Sequence, residues 1–249
     1  MEMTIVTEPN LDRRLVLGAA ALLGGALATT ASAQPAAAPL GKAFAPKPAP
    51  MPFDPKAVPG LSEKLLRSHY DNNYTGAVKR LGAISIQFAG LNPATAPGFL
   101  VNGLKREELI AWNSMILHEI YFAGLSAPTR PGRALATIIE RDFGSDERWR
   151  AEFTGMGKAL GGGSGWVVLT WSHRDQRLVN QWAADHTMTL AGSTPILVLD
   201  MYEHAYAMDY GAKAAAYVDA FMAATNWSSA DAVFAKCLSE NILNHWNCL

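Results

Sequence analysis

Cysteine is scarce in this chain of 249 residues, which contains only Cys237 and Cys248, both near the C-terminus. Two cysteines cannot form a disulfide framework, although an oxidising compartment would permit one bond between them. A zinc site built on thiolates would need more ligands than this region offers. The sequence therefore excludes a disulfide scaffold and leaves open a single Cys237–Cys248 bond.

A basic excess is also absent. The chain has 21 Lys and Arg residues against 22 Asp and Glu residues, a formal net charge of -1. Proteins that bind nucleic acid through its phosphates normally carry a clear positive excess. We therefore expect no nucleic-acid partner. Hydrophobic residues make up 49% of the chain, which is enough for a sizeable core.

Long apolar runs are missing as well. The N-terminal run over residues 15–28 is too short to span a bilayer, which takes about 20 apolar residues. Arg13 and Arg14 precede it, and Ala31-Ser-Ala33 offers small residues for cleavage. The pattern predicts a twin-arginine export signal over residues 1–33, hence a periplasmic or secreted protein with no stable membrane anchor after cleavage. An ordinary secretory signal or an uncleaved anchor remains open.

The remaining chain divides by composition. Residues 34–60 are rich in alanine and proline, which predicts an extended, weakly structured linker. The folded part is expected to begin near Leu61, with an N-terminal domain over 61–127, a C-terminal domain over 128–236 and a tail over 237–249.

Hydrophobic periodicity predicts helices in the first domain and a mixture in the second. Ser62 is the predicted N-cap of one long helix, a second helix ends near Gly124, and Ser145 is a predicted N-cap in the second domain. A glycine-rich stretch precedes two strands joined by a turn at 173–176, and the segment STPILVLDMY predicts a third. The fold class is therefore α+β: an N-terminal α-hairpin lobe followed by an α/β lobe with a small three-stranded antiparallel sheet.

Four polar residues stand out against these apolar elements. His69 and His118 lie inside the two predicted helices, and the stretch DMYEHAY places Asp200 at a strand end with His204 four residues later. A single histidine on a helix is more often a hydrogen-bonded core residue than a ligand, and His173 and His245 are expected to be exposed. Three imidazoles and one carboxylate together suit a redox-active metal, with zinc a further option.

Three motifs carry a resemblance to a known family. The stretches LHEIYFAGL, GGGSGWVVL and LDMYEHAYAMDYGAKAAAYVDAFMAATNW resemble the iron/manganese superoxide dismutases. The metal-site signature of that family, D-x-[WF]-E-H-[STA]-[FY]-[FY], is matched at five of eight positions by the segment that begins at Asp200. The resemblance spans roughly residues 61–234.

The resemblance implies a function and a set of roles. The function is conversion of superoxide to oxygen and hydrogen peroxide at one iron or manganese ion per subunit of a homodimer. Glu203 would bridge to the partner subunit's His204, and His186 would donate a hydrogen bond to the metal-bound solvent. Trp166 and Tyr202 would form an aromatic wall. The implied metal ligands are His69, His118, Asp200 and His204.

The sequence departs from the family pattern outside the ligands. Asn73 stands in place of a histidine and Ala77 in place of the tyrosine that guards the substrate channel, while Ser114 occupies the position of a glutamine. Ala207 replaces a tyrosine and Tyr202 a tryptophan. These changes motivate an alternative: an envelope metalloprotein of the same fold with altered redox activity or a non-catalytic metal-binding role.

Overall fold

The computed structural model describes residues 41–239. The predicted export signal, the first residues of the predicted linker, and His245 and Cys248 lie outside the described residues. The predicted α+β class is confirmed: helices precede and follow one small sheet along the chain. The elements are α1 (Glu63–Ser68), α2 (Thr75–Ala89), α3 (Gly98–Ala123), α4 (Arg133–Phe143), α5 (Asp146–Ala159), β1 (Trp166–Ser172), β2 (Arg177–Ala183), β3 (Ser193–Asp200), α6 (Ala207–Tyr210), α7 (Ala214–Ala224) and α8 (Ser228–Ser239).

The first predicted helix is interrupted. Ser62 caps α1 as predicted, since its side chain accepts a hydrogen bond from the backbone of Leu65. A π-helical turn over His69–Tyr74 then separates α1 from α2. Such turns insert one extra residue per turn and occur frequently at functional sites. Hydrophobic spacing could not reveal this interruption, because the buried side chains on both sides still face the same core.

The sheet is the predicted three-stranded antiparallel one, with strand order β2-β1-β3. The strand β1 is central and buried along its whole length, and the turn at 173–176 joins it to β2. Asp200 ends β3 and lies opposite Trp166 in the register. This register places the carboxylate at the edge of the sheet that faces the helical lobe, where β3 packs on α3.

The described part of the predicted linker, residues 41–60, is extended but packed. Phe44 stacks on Trp112 of α3 with ring centroids 5.1 Å apart. The hydroxyl of Tyr70 donates to the backbone oxygen of Ala49, and the hydroxyl of Tyr74 accepts from the backbone nitrogen of Ala49. The segment is therefore packed on the helical lobe and is not a loose spacer. Its prolines restrict the backbone to an extended shape.

Two further expectations differ from the structure. His173 is 8% exposed, not solvent-facing, because the turn folds over β3 and the ring bonds to Thr194. Cys237 is buried on α8, which continues to Ser239, so this cysteine is not part of a separate tail. Within residues 41–239, no helix is both long and apolar enough to cross a membrane.

Candidate metal centre

Four side chains from distant parts of the sequence meet between the two lobes. His69 comes from the π-helical turn, His118 from α3, Asp200 from the end of β3 and His204 from the single helical turn that follows β3. One candidate ligand atom from each of these residues lies within 4.8 Å of the other three. We call these four residues the inner cluster. The structure brings together all four ligands that the sequence analysis proposed.

A single carboxylate oxygen is the point of convergence. Asp200 Oδ2 lies 3.1 Å from His69 Nε2, 3.2 Å from His204 Nε2 and 3.6 Å from His118 Nε2. The other oxygen, Oδ1, accepts a hydrogen bond from the backbone nitrogen of Tyr202 at 2.8 Å. That second bond fixes the orientation of the carboxylate and leaves Oδ2 directed at the three imidazoles.

The tautomer of His118 follows from its backbone contact. His118 Nδ1 lies 2.6 Å from the backbone oxygen of Ser114, which can only accept, so Nδ1 carries the hydrogen and donates it. His118 Nε2 is then an unprotonated lone pair that faces another acceptor, Asp200 Oδ2. Two acceptors that face each other in a buried site repel unless a cation lies between them.

Burial and mutual contacts set the charge state of the cluster. Burial acts to raise the pKa of Asp200, but its close contacts with the His204 and His69 rings hold it well below its usual range. Burial lowers the pKa of His69, and burial together with the neighbouring His69 lowers the pKa of His118 to about 3. At neutral pH the cluster thus contains a carboxylate beside the neutral imidazoles of His69 and His118, the protonation state that metal ligands require.

The unsatisfied polar atoms fit a bound metal. Both ring nitrogens of His69 and Nε2 of His118 are buried without a hydrogen-bond partner. Buried polar atoms are nearly always satisfied in folded proteins, and a metal bound by one nitrogen of each ring would satisfy such atoms. Three imidazoles and one carboxylate are a donor set that iron and manganese accept. The residues present therefore fit an iron or manganese ion.

The predicted aromatic wall lies beside the inner cluster. Trp166 packs edge-on to His118 with ring centroids 5.2 Å apart, and Tyr202 stacks on His204 at 5.4 Å. Trp166 Nε1 donates to His186 Nδ1 at 3.0 Å, so the remaining hydrogen of the neutral His186 ring is on Nε2. Burial lowers the pKa of His186, which favours that neutral form.

An open cavity lies on the other side of His186. It has a volume of about 320 Å³ and runs between α2 and α3. We call it the outer cavity; its lining includes three of the positions where the sequence departs from the family, together with Arg80 and His186. Those three positions are Asn73, Ala77 and Ser114.

Sequence reasoning missed several residues that hold the site in place. The hydroxyl of Tyr217 donates to the backbone oxygen of Asp200 at 2.8 Å and lies 3.3 Å from the hydroxyl of Tyr121. The side chain of Asn113 donates to the backbone oxygen of His186 at 2.6 Å, which ties the loop that carries His186 to α3. Asn113 lies one residue before Ser114 in the motif-bearing helix, but no spacing rule links it to a loop 73 residues away.

A buried cluster of three histidines and one carboxylate, held between a helical lobe and a small sheet, defines a mononuclear metalloprotein. Comparison with known proteins narrows this class. The profile of the iron/manganese superoxide dismutase C-terminal domain matches residues 131–233. The superoxide dismutase [Fe] of Cupriavidus metallidurans is 65% identical over 191 residues, which cover 77% of this chain and 97% of that protein.

More distant relatives carry either metal in their names. The superoxide dismutase [Mn] 1 of Halobacterium salinarum is 34% identical, over 72% of this chain and 89% of that protein. The superoxide dismutase [Fe] of Aquifex aeolicus is 32% identical, over 74% of this chain and 89% of that protein. This chain therefore belongs to the iron/manganese superoxide dismutase family.

Proposed function

We infer that this chain is a superoxide dismutase that converts two superoxide ions and two protons to oxygen and hydrogen peroxide. The observation that carries the inference is the convergence of three imidazoles on Asp200 Oδ2 in a chain of this family. The inner cluster would hold one iron or manganese ion through His69, His118, Asp200 and His204. A bound iron or manganese ion supplies a one-electron couple between its 3+ and 2+ states.

The protein's own residues fix a hydrogen-bond donor beside the inner cluster and cover the cluster with aromatic rings. His186 presents its Nε2 hydrogen because Trp166 donates to its Nδ1, so it would act as a fixed hydrogen-bond donor beside the inner cluster. Asn113 holds the backbone of His186, so the donor keeps its position through both half-reactions. Trp166 and Tyr202 close the other sides of the cluster with apolar ring faces.

The alternative of an altered redox or non-catalytic metalloprotein is not favoured. It was motivated by changes at Asn73 and Ala77, and both residues lie in the outer cavity, not among the inner cluster. A relative named superoxide dismutase [Fe] is 65% identical and is covered almost completely. The changes therefore bear on access and proton delivery rather than on the metal ligands.

A homodimer is part of the proposal. Glu203 is exposed in this single chain although it lies between Tyr202 and His204, and the side chain of His204 is 26% exposed. An exposed carboxylate beside a partly exposed imidazole is the arrangement expected if each subunit supplies Glu203 to the partner's copy of His204. Such reciprocal contacts are typical of a two-fold interface.

Export remains a proposal based on the sequence. Arg13 and Arg14 precede a short apolar run and a small-residue cleavage site, which supports twin-arginine transport to the periplasm or beyond. That route carries folded proteins, so the metal could be acquired before export. Replacement of both arginines by lysine should trap precursor in the cytoplasm, measured by fractionation; an unchanged exported yield would point to the general secretory route.

Metal analysis of protein purified from its own host tests the central proposal. We expect about one iron or manganese ion per subunit, as the donor set requires, and superoxide decay that is fast per bound metal. Stopped-flow or pulse-radiolysis measurements give the rate. If the fully loaded protein decays superoxide no faster than buffer does, the proposed function is wrong.

A further inference from the structure

Two rows of side chains lead outwards from the inner cluster along facing helices. One row starts at His69 and follows positions that lie on the same helix face, three or four residues apart. The other starts at His118 on α3 and runs in the opposite sequence direction. The first row continues through Asn73, Ala77 and Arg80, and the second through Ser114, Ala111 and Glu107.

The outer cavity lies between these rows. Ala77 and Ser114 are nearly buried within it, whereas the side chain of Arg80 is 54% exposed. Arg80 is therefore the outward end of the lining, roughly 15 Å along the helix from His69. Among the described residues that line this cavity, Arg80 alone bears a full charge, because His186 is neutral.

An ion pair lies at the outer end of the outer cavity. Arg80 contacts Glu107 across the two helices, and Arg106 contacts the other oxygen of Glu107 at 3.3 Å. Glu107 is thus shared by two arginines, and the three side chains together carry a net positive charge. Hydrogen bonds from Thr187 lower the pKa of the carboxyl of Asp185, a half-buried neighbour of His186, and Arg106 lies close enough that its charge adds to this lowering.

Arg80 stands at the outer end of the cavity lining, whereas His186 lies at the inner end, beside His118. An anion that enters the cavity from solvent therefore meets the guanidinium of Arg80 before it reaches the donor on His186. Clefts of this kind bring a charged substrate past the charge at their mouth first, and their low-dielectric walls focus the field of that charge and raise the encounter rate.

We propose that Arg80 is the residue that draws the anionic substrate into the outer cavity, and that Glu107 limits its effective charge by holding it at the cavity mouth. This role rests on the proposed function, because the substrate is then the superoxide anion. It also gives a role to the cavity that the small side chains of Ala77 and Asn73 leave open. Small anions would enter this cavity, whose single charged lining residue, Arg80, is positive.

A matched pair of variants tests this role. Arg80→Gln and Lys79→Gln remove the same charge from adjacent positions of α2, but exposed Lys79 does not line the cavity. The measurement is the second-order rate of superoxide decay per bound metal, at ionic strengths of about 0.01 M and about 0.15 M. The Debye length falls from about 30 Å to about 8 Å between these conditions, so steering over roughly 15 Å should weaken.

We expect Arg80→Gln to slow the reaction about two- to fivefold at low ionic strength and to flatten its salt dependence, with Lys79→Gln changing the rate less than about 1.5-fold. Glu107→Gln should raise the low-salt rate. Equal changes of rate in Arg80→Gln and Lys79→Gln would overturn the proposal. A decrease of rate in Arg80→Gln that is the same at both ionic strengths would also overturn it. A slower Glu107→Gln protein would also overturn it.

A binding measurement separates this inference from the proposed function. Azide is titrated into the oxidised, metal-loaded protein and followed by its absorption change. The azide Kd should rise about two- to fivefold in Arg80→Gln and stay unchanged in Lys79→Gln. An inactive but metal-loaded wild type would refute the dismutase function while the azide titration still decides the role of Arg80. Identical azide affinity in wild type and Arg80→Gln would overturn the inference alone.

Discussion

The inner cluster and the outer cavity are neighbours but are built in different ways. Two side chains of the inner cluster are oriented by backbone groups, since the backbone oxygen of Ser114 orients His118 and the backbone nitrogen of Tyr202 orients Asp200. The outer cavity instead has free volume of about 320 Å³, small side chains at Ala77 and Ser114, and one exposed cation, Arg80, at its edge.

This difference explains which positions could change from the family pattern. A change in the inner cluster leaves a buried charge or an unpaired imidazole, which costs several kcal/mol in a low-dielectric site. A change in the outer cavity replaces one solvated or half-buried group by another, which costs much less. The departures at Asn73, Ala77 and Ser114 all lie in the outer cavity, and the four residues of the inner cluster are unchanged.

Removal of an inner ligand should have the largest effect. We expect His118→Ala to hold less than about a tenth of the metal bound by the wild type, because the three remaining ligands and an unbalanced carboxylate are a poor site. Elemental analysis after dialysis measures it. The matched variant Asn73→Ala, in the outer cavity, should retain full metal; full occupancy in His118→Ala would refute the ligand assignment.

Loss of Glu203 should weaken assembly and metal binding together. If Glu203 pairs with the partner subunit's His204, its removal leaves an imidazole unpaired at each of the two bridges. At about 2 kcal/mol per bridge, the loss of both raises the dimer Kd about a thousandfold. Sedimentation and metal content are the measurements. Glu203→Gln keeps an acceptor oxygen, so its dimer affinity and metal content should fall less than those of Glu203→Ala. A dimeric, metal-replete Glu203→Ala protein would contradict the proposed bridge.

The sequence predicted the inner cluster far better than its surroundings. The ligands were assigned through the resemblance of three motifs to the iron/manganese superoxide dismutases, since the places of the histidines in their elements do not by themselves show that they converge. The predicted turn at 173–176 and the caps at Ser62 and Ser145 agree with the structure because they depend on neighbours within a few residues, which is the range that local patterns describe.

Features that depend on distant contacts were not predictable in this way. The segment at 41–60 looked like a spacer because nothing local shows that Phe44 stacks on Trp112. His173 looked exposed because its neighbours are polar, yet it is buried by a contact with Thr194, 21 residues away. The π-helical turn that carries His69 has no signal in hydrophobic spacing, since the extra residue only shifts the helix face locally.

The pH dependence of the metal-free protein should sharpen the same contrast. Burial lowers the pKa of His69 and His118 in the folded state, so unfolding takes up protons below the usual histidine pKa of about 6.5. Stability should therefore fall as pH drops below about 6.5, by about 1.4 kcal/mol per pH unit for each histidine that stays neutral when folded. For His118 this continues to about pH 3.

Denaturant titrations across that range measure the slope. The folded-state pKa of Asp200 lies below its usual range, so protonation of this carboxylate adds a further loss of stability at the acid end of the range. His118→Gln cannot take up that proton, so its slope should be smaller by about one proton between pH 6 and pH 4. An unchanged slope in this variant would contradict the neutral, buried state of His118.

The smallest effect is expected at the wall of the outer cavity, where Ala77→Tyr would restore the residue type typical of the family. A tyrosine side chain would project into the cavity that Ala77 leaves open, displace its water and offer a hydroxyl near His186. We expect azide affinity to fall about threefold because the cavity narrows, and the proton-dependent step of dismutation to speed up by a similar factor because a donor is added.

Ala77→Phe separates the two causes, since it fills the same space without a hydroxyl: it should weaken azide binding equally and leave the proton-dependent step unimproved. Stopped-flow decay per bound metal, at several pH values, distinguishes the steps. If both variants speed up the reaction alike, filling the cavity and not the hydroxyl limits the rate, and Ala77 affects access alone.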